Sequence, residues 1–230
     1  MRTIFTHIGN NEPDYRALMA TQKSIVLNNR EIPFTQVVIA QQTHSAHVHV
    51  CQPADSGAGT GSKPQIQIAD GFVTNITNQF LLIRTADCTP VLLYDESNFV
   101  VGAIHSGREG TRKNICGRAI EIMVSVFGCQ VSNIKLIIGP GICEKHYEVS
   151  QEIWEEYNQT FIQAGIPLPE TKSRHIDVRS SIQNQALFWN VPKQNIKIYD
   201  ICTYESENYF SFRRNGTMNR QINLIGVIDE

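Results

Sequence analysis

Short apolar runs rich in β-branched residues, set off by polar turns, dominate the first half of the chain. Residues 35–40, 47–51, 70–75, 80–84, 90–94 and 99–104 each read as a strand. No long helix falls between the last four, which predicts mixed or antiparallel sheets and not repeated βαβ units. The period then changes. Over residues 111–127, Ile115, Ala119, Ile122, Met123 and Val126 share one helical face, and Gly128 supplies a stop. Ser150 caps a second helix with the stripe Ile153, Trp154, Tyr157 and Phe161, ended by Gly165. Asp177 caps a third over residues 178–189, with Pro192 beyond it. Strands are predicted at 133–138, 195–201 and 221–228, the first breaking at Gly139-Pro140-Gly141. The first 35 residues carry a weaker signal: a polar opening around Asn10, Asn11 and Pro13, then a short helix over about 14–27. Residues 53–63, with Gly57, Gly59 and Gly61 and no large apolar side chain, have the composition of a flexible surface loop that could serve as a lid.

Composition narrows the class. A chain of 230 residues, 41% hydrophobic, can bury one large core, so residues 1–230 are expected to form a single domain of the α+β class. The net charge is −2 and the twenty Lys and Arg residues are scattered, which argues against nucleic acid or an acidic membrane surface and for a small-molecule ligand. The first residues lack the apolar core of a signal peptide, and no run approaches the ~18 apolar residues of a membrane span, so a cytoplasmic location is expected. Six cysteines lie far apart with no CxxC pair, and free thiols are the default in a reducing compartment.

Three residue types suited to chemistry stand at the ends of strand-like runs: His44, Cys88 and His105. Two imidazoles and a thiolate bind zinc well and leave a fourth position open, as catalytic sites do, although their spacing matches no compact zinc motif. The same residues also allow a metal-free reading, in which His105 holds Cys88 as a thiolate nucleophile and Asp87 orients a histidine. Against these stand a Cys88 that is only a small buried hydrophobe and an Asp87 that only satisfies turn amides. His47 and His49 share a strand face and could join a metal site. The kink at Gly139–Gly141 could present amides or Cys143 to a ligand, and Arg213 with Arg214 could clamp a phosphate or carboxylate.

The succession Gln41-Gln-Thr-His44, Asp70-Gly-Phe-Val-Thr74, Thr85-Ala-Asp-Cys-Thr-Pro-Val-Leu-Leu93, Ala103-Ile-His-Ser-Gly107, Ile138-Gly-Pro-Gly-Ile142, Tyr147-Glu-Val149 and Tyr209-Phe-Ser-Phe-Arg-Arg-Asn-Gly216 resembles the YfiH family over roughly residues 36–228. Its members have been called multicopper polyphenol oxidases, purine nucleoside phosphorylases and peptidoglycan editing factors. The resemblance implies a layered α/β/β/α sandwich with mixed sheets, similar to cysteine-hydrolase-like domains. It implies that His44, Cys88 and His105 form the metal-binding and catalytic trio, with zinc the usual metal and copper the other. It further implies phosphorolysis of adenosine, inosine, guanosine and methylthioadenosine to base and ribose 1-phosphate, with adenosine deamination as a second activity. The sequence departs from the family after His105. Arg108 stands where tryptophan is usual and Glu109 where arginine is usual, so weakened phosphate binding is expected unless Arg108 supplies the guanidinium. Ser45 replaces a common glycine. Other readings are a metal-independent Cys/His hydrolase acting on peptidoglycan precursors, a binding relative that has lost turnover, and a copper phenol oxidase. The oxidase is disfavoured because a three-metal cluster needs more histidines than the seven present.

Overall fold

The computed structural model describes residues 1–11, 15–61 and 63–229. In chain order its first elements are β1 (Arg2–Ile8), α1 (Tyr15–Thr21), β2 (Ser24–Leu27), β3 (Arg30–Pro33), β4 (Val37–Val38), β5 (Val48–Val50) and β6 (Gly71–Thr74). The central strands follow as β7 (Phe80–Thr85), β8 (Thr89–Asp95) and β9 (Val100–Ser106), leading into α2 (Arg108–Arg112) and α3 (Ile115–Ser125). The chain closes with β10 (Lys135–Ile138), α4 (Gln151–Ala164), α5 (Val178–Phe188), β11 (Ile196–Ile198), α6 (Phe212–Asn215) and β12 (Gln221–Asp229).

Two mixed sheets lie face to face. One has the order β1-β12-β7-β4 and the other β11-β10-β8-β9-β6-β5, while β2 and β3 form a separate hairpin. The two-residue period assigns each side chain to a layer. Leu81 and Ile83 of β7 and Ile225 and Val227 of β12 point between the sheets, where Phe72, Leu92, Val101 and Ala103 meet them. Phe80, Leu82, Ile222 and Leu224 point the other way, under the hairpin and α1. The outer face of the six-stranded sheet is covered by α3, α4 and α5 through Ile120, Met123, Phe161 and Ile182. Every residue of β9 is buried, as expected of a central strand covered on both faces. The expected four-layer α/β/β/α arrangement is present, with a hairpin and one short helix as the fourth layer.

Several local expectations are corrected. The helix predicted over 14–27 is a helix only at Tyr15–Thr21, its Asp14 lying outside the described residues. The chain is extended again at Ser24–Leu27, where Ile25 and Leu27 are buried and Val26 exposed, a period of two. β1 was not foreseen; it pairs along its whole length with β12, from Arg2 opposite Asp229 to Ile8 opposite Asn223. The helix predicted over 111–127 starts earlier and breaks at Asn114. That residue is left-handed (φ 59°), and its side chain accepts a hydrogen bond from the Gly117 N–H. Of residues 35–40 only Val37–Val38 pair as a strand. The glycine-rich loop is not a loose lid. Gly57, Gly59 and Gly61 take φ of 84°, 80° and 114°, the Gly57 N–H bonds to Val37 O, and Ala58 is buried in the layer between the sheets.

The connections that matter for function carry the chain from one sheet to the other. The β4–β5 connection holds Thr43, His44 and Ser45, and the β7–β8 connection is the corner Ala86-Asp87-Cys88. His44 (φ 61°) and Asp87 (φ 84°) both take left-handed backbone at these bends.

Candidate active site

Strand order explains how the reactive groups meet. β8, β9 and β6 are neighbours and antiparallel, so the start of β8, the end of β9 and the start of β6 share one edge of the sheet. Cys88 precedes β8, His105 ends β9 and Asp70 precedes β6, which sets thiol, imidazole and carboxylate side by side. Register also brings Gly107 opposite Cys88, since Thr89 pairs with Ser106. A Cβ at Gly107 would lie 2.8 Å from Cys88 Sγ and 3.0 Å from His44 Cδ2, so only glycine lets the three close up.

Asp70 is the hub and is fully buried. Its carboxylate accepts hydrogen bonds from the backbone N–H groups of Thr43 (3.1 Å), His44 (3.0 Å) and Ser45 (2.7 Å) and from the Ser45 hydroxyl (2.7 Å). It also lies 2.8 Å from His105 Nδ1. Burial alone would raise the Asp70 carboxyl, but the bonds and charge of His105 and the two bonds from Ser45 outweigh it and hold it well below the usual carboxylate range. One anion thus folds the 43–45 bend, which places His44, and fixes the His105 ring so that Nε2 faces Cys88.

His44 and His105 pack edge to face with centroids 4.9 Å apart. Burial pushes the Cys88 thiol up, yet the charge on His105 and hydrogen bonds from His105 and His44 bring it down to about 6. Burial likewise opposes charge on His105, and the Cys88 thiolate together with Asp70 raises it to about 9. Ligand atoms of His44, Cys88 and His105 all lie within 4.8 Å of one another. The donor set of two imidazoles and a low-lying thiolate fits zinc, and a carboxylate behind one histidine is the usual support for such a ligand.

Over this trio opens a cavity of about 500 Å³ lined by Arg84, Arg108, Arg213, Arg220, Tyr147 and Phe212, among others. The remaining predicted residues take different places. Asp87 does not orient a histidine: its carboxylate accepts from the Thr203 hydroxyl (2.7 Å) and the Arg213 backbone N–H (2.6 Å), pinning the late loop to the β7–β8 corner. The orienting role falls to Asp70. Arg213 reaches the cavity, its guanidinium 5.3 Å above the Tyr147 ring. Arg214 turns away and donates to the carbonyls of Thr203, Tyr204, Ser206 and Tyr209, so it holds the loop and does not face a ligand. Cys143 is also outside the cavity wall, which takes Ile142 instead, and lies beside Cys202. Glu109 bonds Arg108 (3.1 Å) and Arg112 (2.9 Å) and does not line the cavity, while Arg108 does. His49 bonds Asp55 at 2.9 Å, and neither it nor His47 joins the trio. The sequence assigns no role to Arg84 or Arg220, which both line the cavity; Arg84 directly precedes the Thr85-Ala-Asp-Cys motif, and that adjacency is the available signal.

The family whose sequence model matches residues 6–228 is described as multi-copper polyphenol oxidoreductase laccase. This chain belongs to that family. The match begins at residue 6, inside β1, and takes in the β2–β3 hairpin ahead of the Gln41–His44 motif. Among relatives, a purine nucleoside phosphorylase of Bacteroides thetaiotaomicron is 30% identical over 202 residues, covering 84% of this chain and 73% of its own. An adenosine deaminase from an unknown prokaryotic organism is 28% identical over 208 residues, covering 88% and 76%. The crystal structure of a hypothetical Bacillus licheniformis protein, YfiH, superposes with a TM-score of 0.80 at 21% identity, covering 97% of this chain and 92% of that one, a likeness of fold. Among the described residues no helix is long and apolar enough to cross a membrane.

Proposed function

We propose that this member of the family is a zinc-dependent purine nucleoside phosphorylase acting on adenosine, inosine, guanosine and methylthioadenosine, with adenosine deamination as a second activity. The observation that carries the reading is a cavity with His44, Cys88 and His105 at its floor and four arginines on its walls. Guanidinium groups bind phosphate oxygens with charge-assisted, often bidentate bonds. Tyr147 and Phe212 offer aromatic surface suited to a purine. In phosphorolysis a phosphate oxygen bonds to ribose C1′ as the C1′–N9 bond breaks; the electron pair leaves on the base, which takes up a proton. Arg108 and Arg213 would bind and orient the dianion, with Asp87 holding the Arg213 backbone in place for it, while Arg84 and Arg220, which also donate to backbone carbonyls, add positive charge at the wall. Zinc on His44, Cys88 and His105 would supply a Lewis acid at the cavity floor. Glu109 is paired with Arg108 and Arg112, which offsets its charge and supports phosphate use despite the expected weakening. The relatives' names, phosphorylase and deaminase, support both halves.

Zinc-replete protein should release hypoxanthine from inosine only when phosphate or arsenate is present, and chelation should stop it. No release, or release indifferent to phosphate, would overturn the reading. Arg213→Ala should raise KM for phosphate by about 10-fold or more, the loss of one charge-assisted contact.

The line Cys88, His105 and Asp70 favours a second reading, a thiol hydrolase in which His105 holds the Cys88 thiolate and Asp70 orients His105. Ester or amide hydrolysis that survives chelation but disappears in Cys88→Ser would select it.

A further inference from the structure

We propose a second metal site, a structural zinc held by Cys143, His146, Cys202 and Glu205. Their ligand atoms all lie within 4.8 Å of one another, and none belongs to the trio at the cavity floor. The residues come from two short loops of the same design, Cys143-Glu-Lys-His146 and Cys202-Thr-Tyr-Glu205, each offering donors three positions apart. A two-residue spacer between ligands is the usual spacing within a structural zinc half-site.

The two loops are already held in register. Gly141 bridges to Cys202, and the Thr203 N–H donates to Gly141 O at 3.2 Å. The Cys143 N–H donates to Cys202 Sγ at 3.2 Å. His146 Nε2 lies 2.9 Å from Glu205 Oε1, and the His146 ring stacks on Tyr204 with centroids 4.4 Å apart and planes 22° from parallel. Ring and sulfur are therefore oriented by neighbours, as metal ligands are. Zinc bond lengths of about 2.0–2.3 Å place tetrahedral donors about 3.3–3.8 Å apart, so binding needs side-chain shifts of roughly 1 Å. It exchanges the His146–Glu205 hydrogen bond for two metal bonds.

Two thiolates, one imidazole and one carboxylate select zinc over calcium or magnesium. All four positions are filled by the protein, which makes the site closed and structural. It would tie the segment after β10 to the segment after β11. Ile142 and Tyr147, which line the active cavity, flank the first loop, so the ion would brace that wall.

Protein freed of metal, fully reduced, reloaded with zinc and desalted should retain two zinc ions per chain by elemental analysis. Cys143→Ser combined with Cys202→Ser should retain one, and Cys88→Ser should keep the second site's ion. Cobalt titrated into metal-free Cys88→Ser protein should give a thiolate-to-cobalt charge-transfer band that Glu205→Gln weakens. That readout does not depend on catalysis or on the folding of the double variant. Absence of the band, the same zinc content in wild type and double variant, or a resting Cys143–Cys202 disulfide that excludes cobalt would each overturn the proposal.

Discussion

Asp70 shows how much of the site rests on one side chain. Its carboxylate gathers three consecutive amides, the Ser45 hydroxyl and the His105 ring, and an amide in its place cannot accept from all of them. Asp70→Asn should therefore lower both kcat/KM and zinc affinity by about 10–100-fold, the usual cost of losing a carboxylate behind a ligating histidine. The Cys88–His105 pair makes a prediction about pH in metal-free protein. The Cys88 contribution to stability grows from about pH 6 to the ordinary thiol value of 9.0, because the unfolded thiol still holds its proton there. The His105 contribution is lost from the ordinary 6.5 up to about 9, because the folded imidazolium keeps a proton that the unfolded ring has released. These opposite slopes nearly cancel, since the proton has moved within the pair while the number bound is unchanged. Thermal stability should vary little from this pair, and alkylation of Cys88 should report it. Iodoacetamide should react at a nearly constant rate above about pH 7 and slow as pH falls through 6. A rate still climbing steeply between 7 and 9 would contradict the ion pair. Cys88 and His105 could be singled out in the sequence because each ends an apolar run. Asp70 could not, although its motif was noticed, because its partners lie 25–35 residues away and leave no local pattern.

Elements with a strong local period were readable. α4 and α5 begin at the predicted caps, where Ser150 accepts from Ile153 N and Asp177 from Ser180 N. The central strands were found within a residue or two. What failed was decided elsewhere in the fold. β1 carries only the short β-favouring run Thr3-Ile-Phe-Thr6 and is held as a strand because β12, more than two hundred residues on, supplies its ladder. Glycine marks both freedom and fixed positive φ, and here the backbone bonds of Gly57 to Val37 O and of Ile39 N to Ala58 O select the second. The break at Asn114 was hidden within an unbroken helical stripe. It has an energetic signature: Asn114→Ala removes the cap and forces a Cβ-bearing residue without a polar side chain into left-handed backbone. The change should cost about 1–2 kcal/mol, read as a lower Tm with activity retained per folded molecule.

For the whole molecule, the four-layer arrangement was implied by the family resemblance, whereas the assignment of each strand to a sheet required the structure. Alternation tells which residues are buried, but not whether the next strand pairs in the same sheet or crosses to the other. Here the crossings β4–β5 and β7–β8 carry His44, Asp87 and Cys88, and the β11–β12 return carries Arg213. The site is thus built where the two sheets are sewn together. A molecule seated there acts as a rivet through both, resisting any sliding or parting of one sheet over the other. Substrate or phosphate at 100 times its Kd should add about 2.7 kcal/mol to global stability. It should also slow amide exchange in β7 and β8 together, although they lie in different sheets. Protection confined to one sheet would show that the sheets open independently of the site.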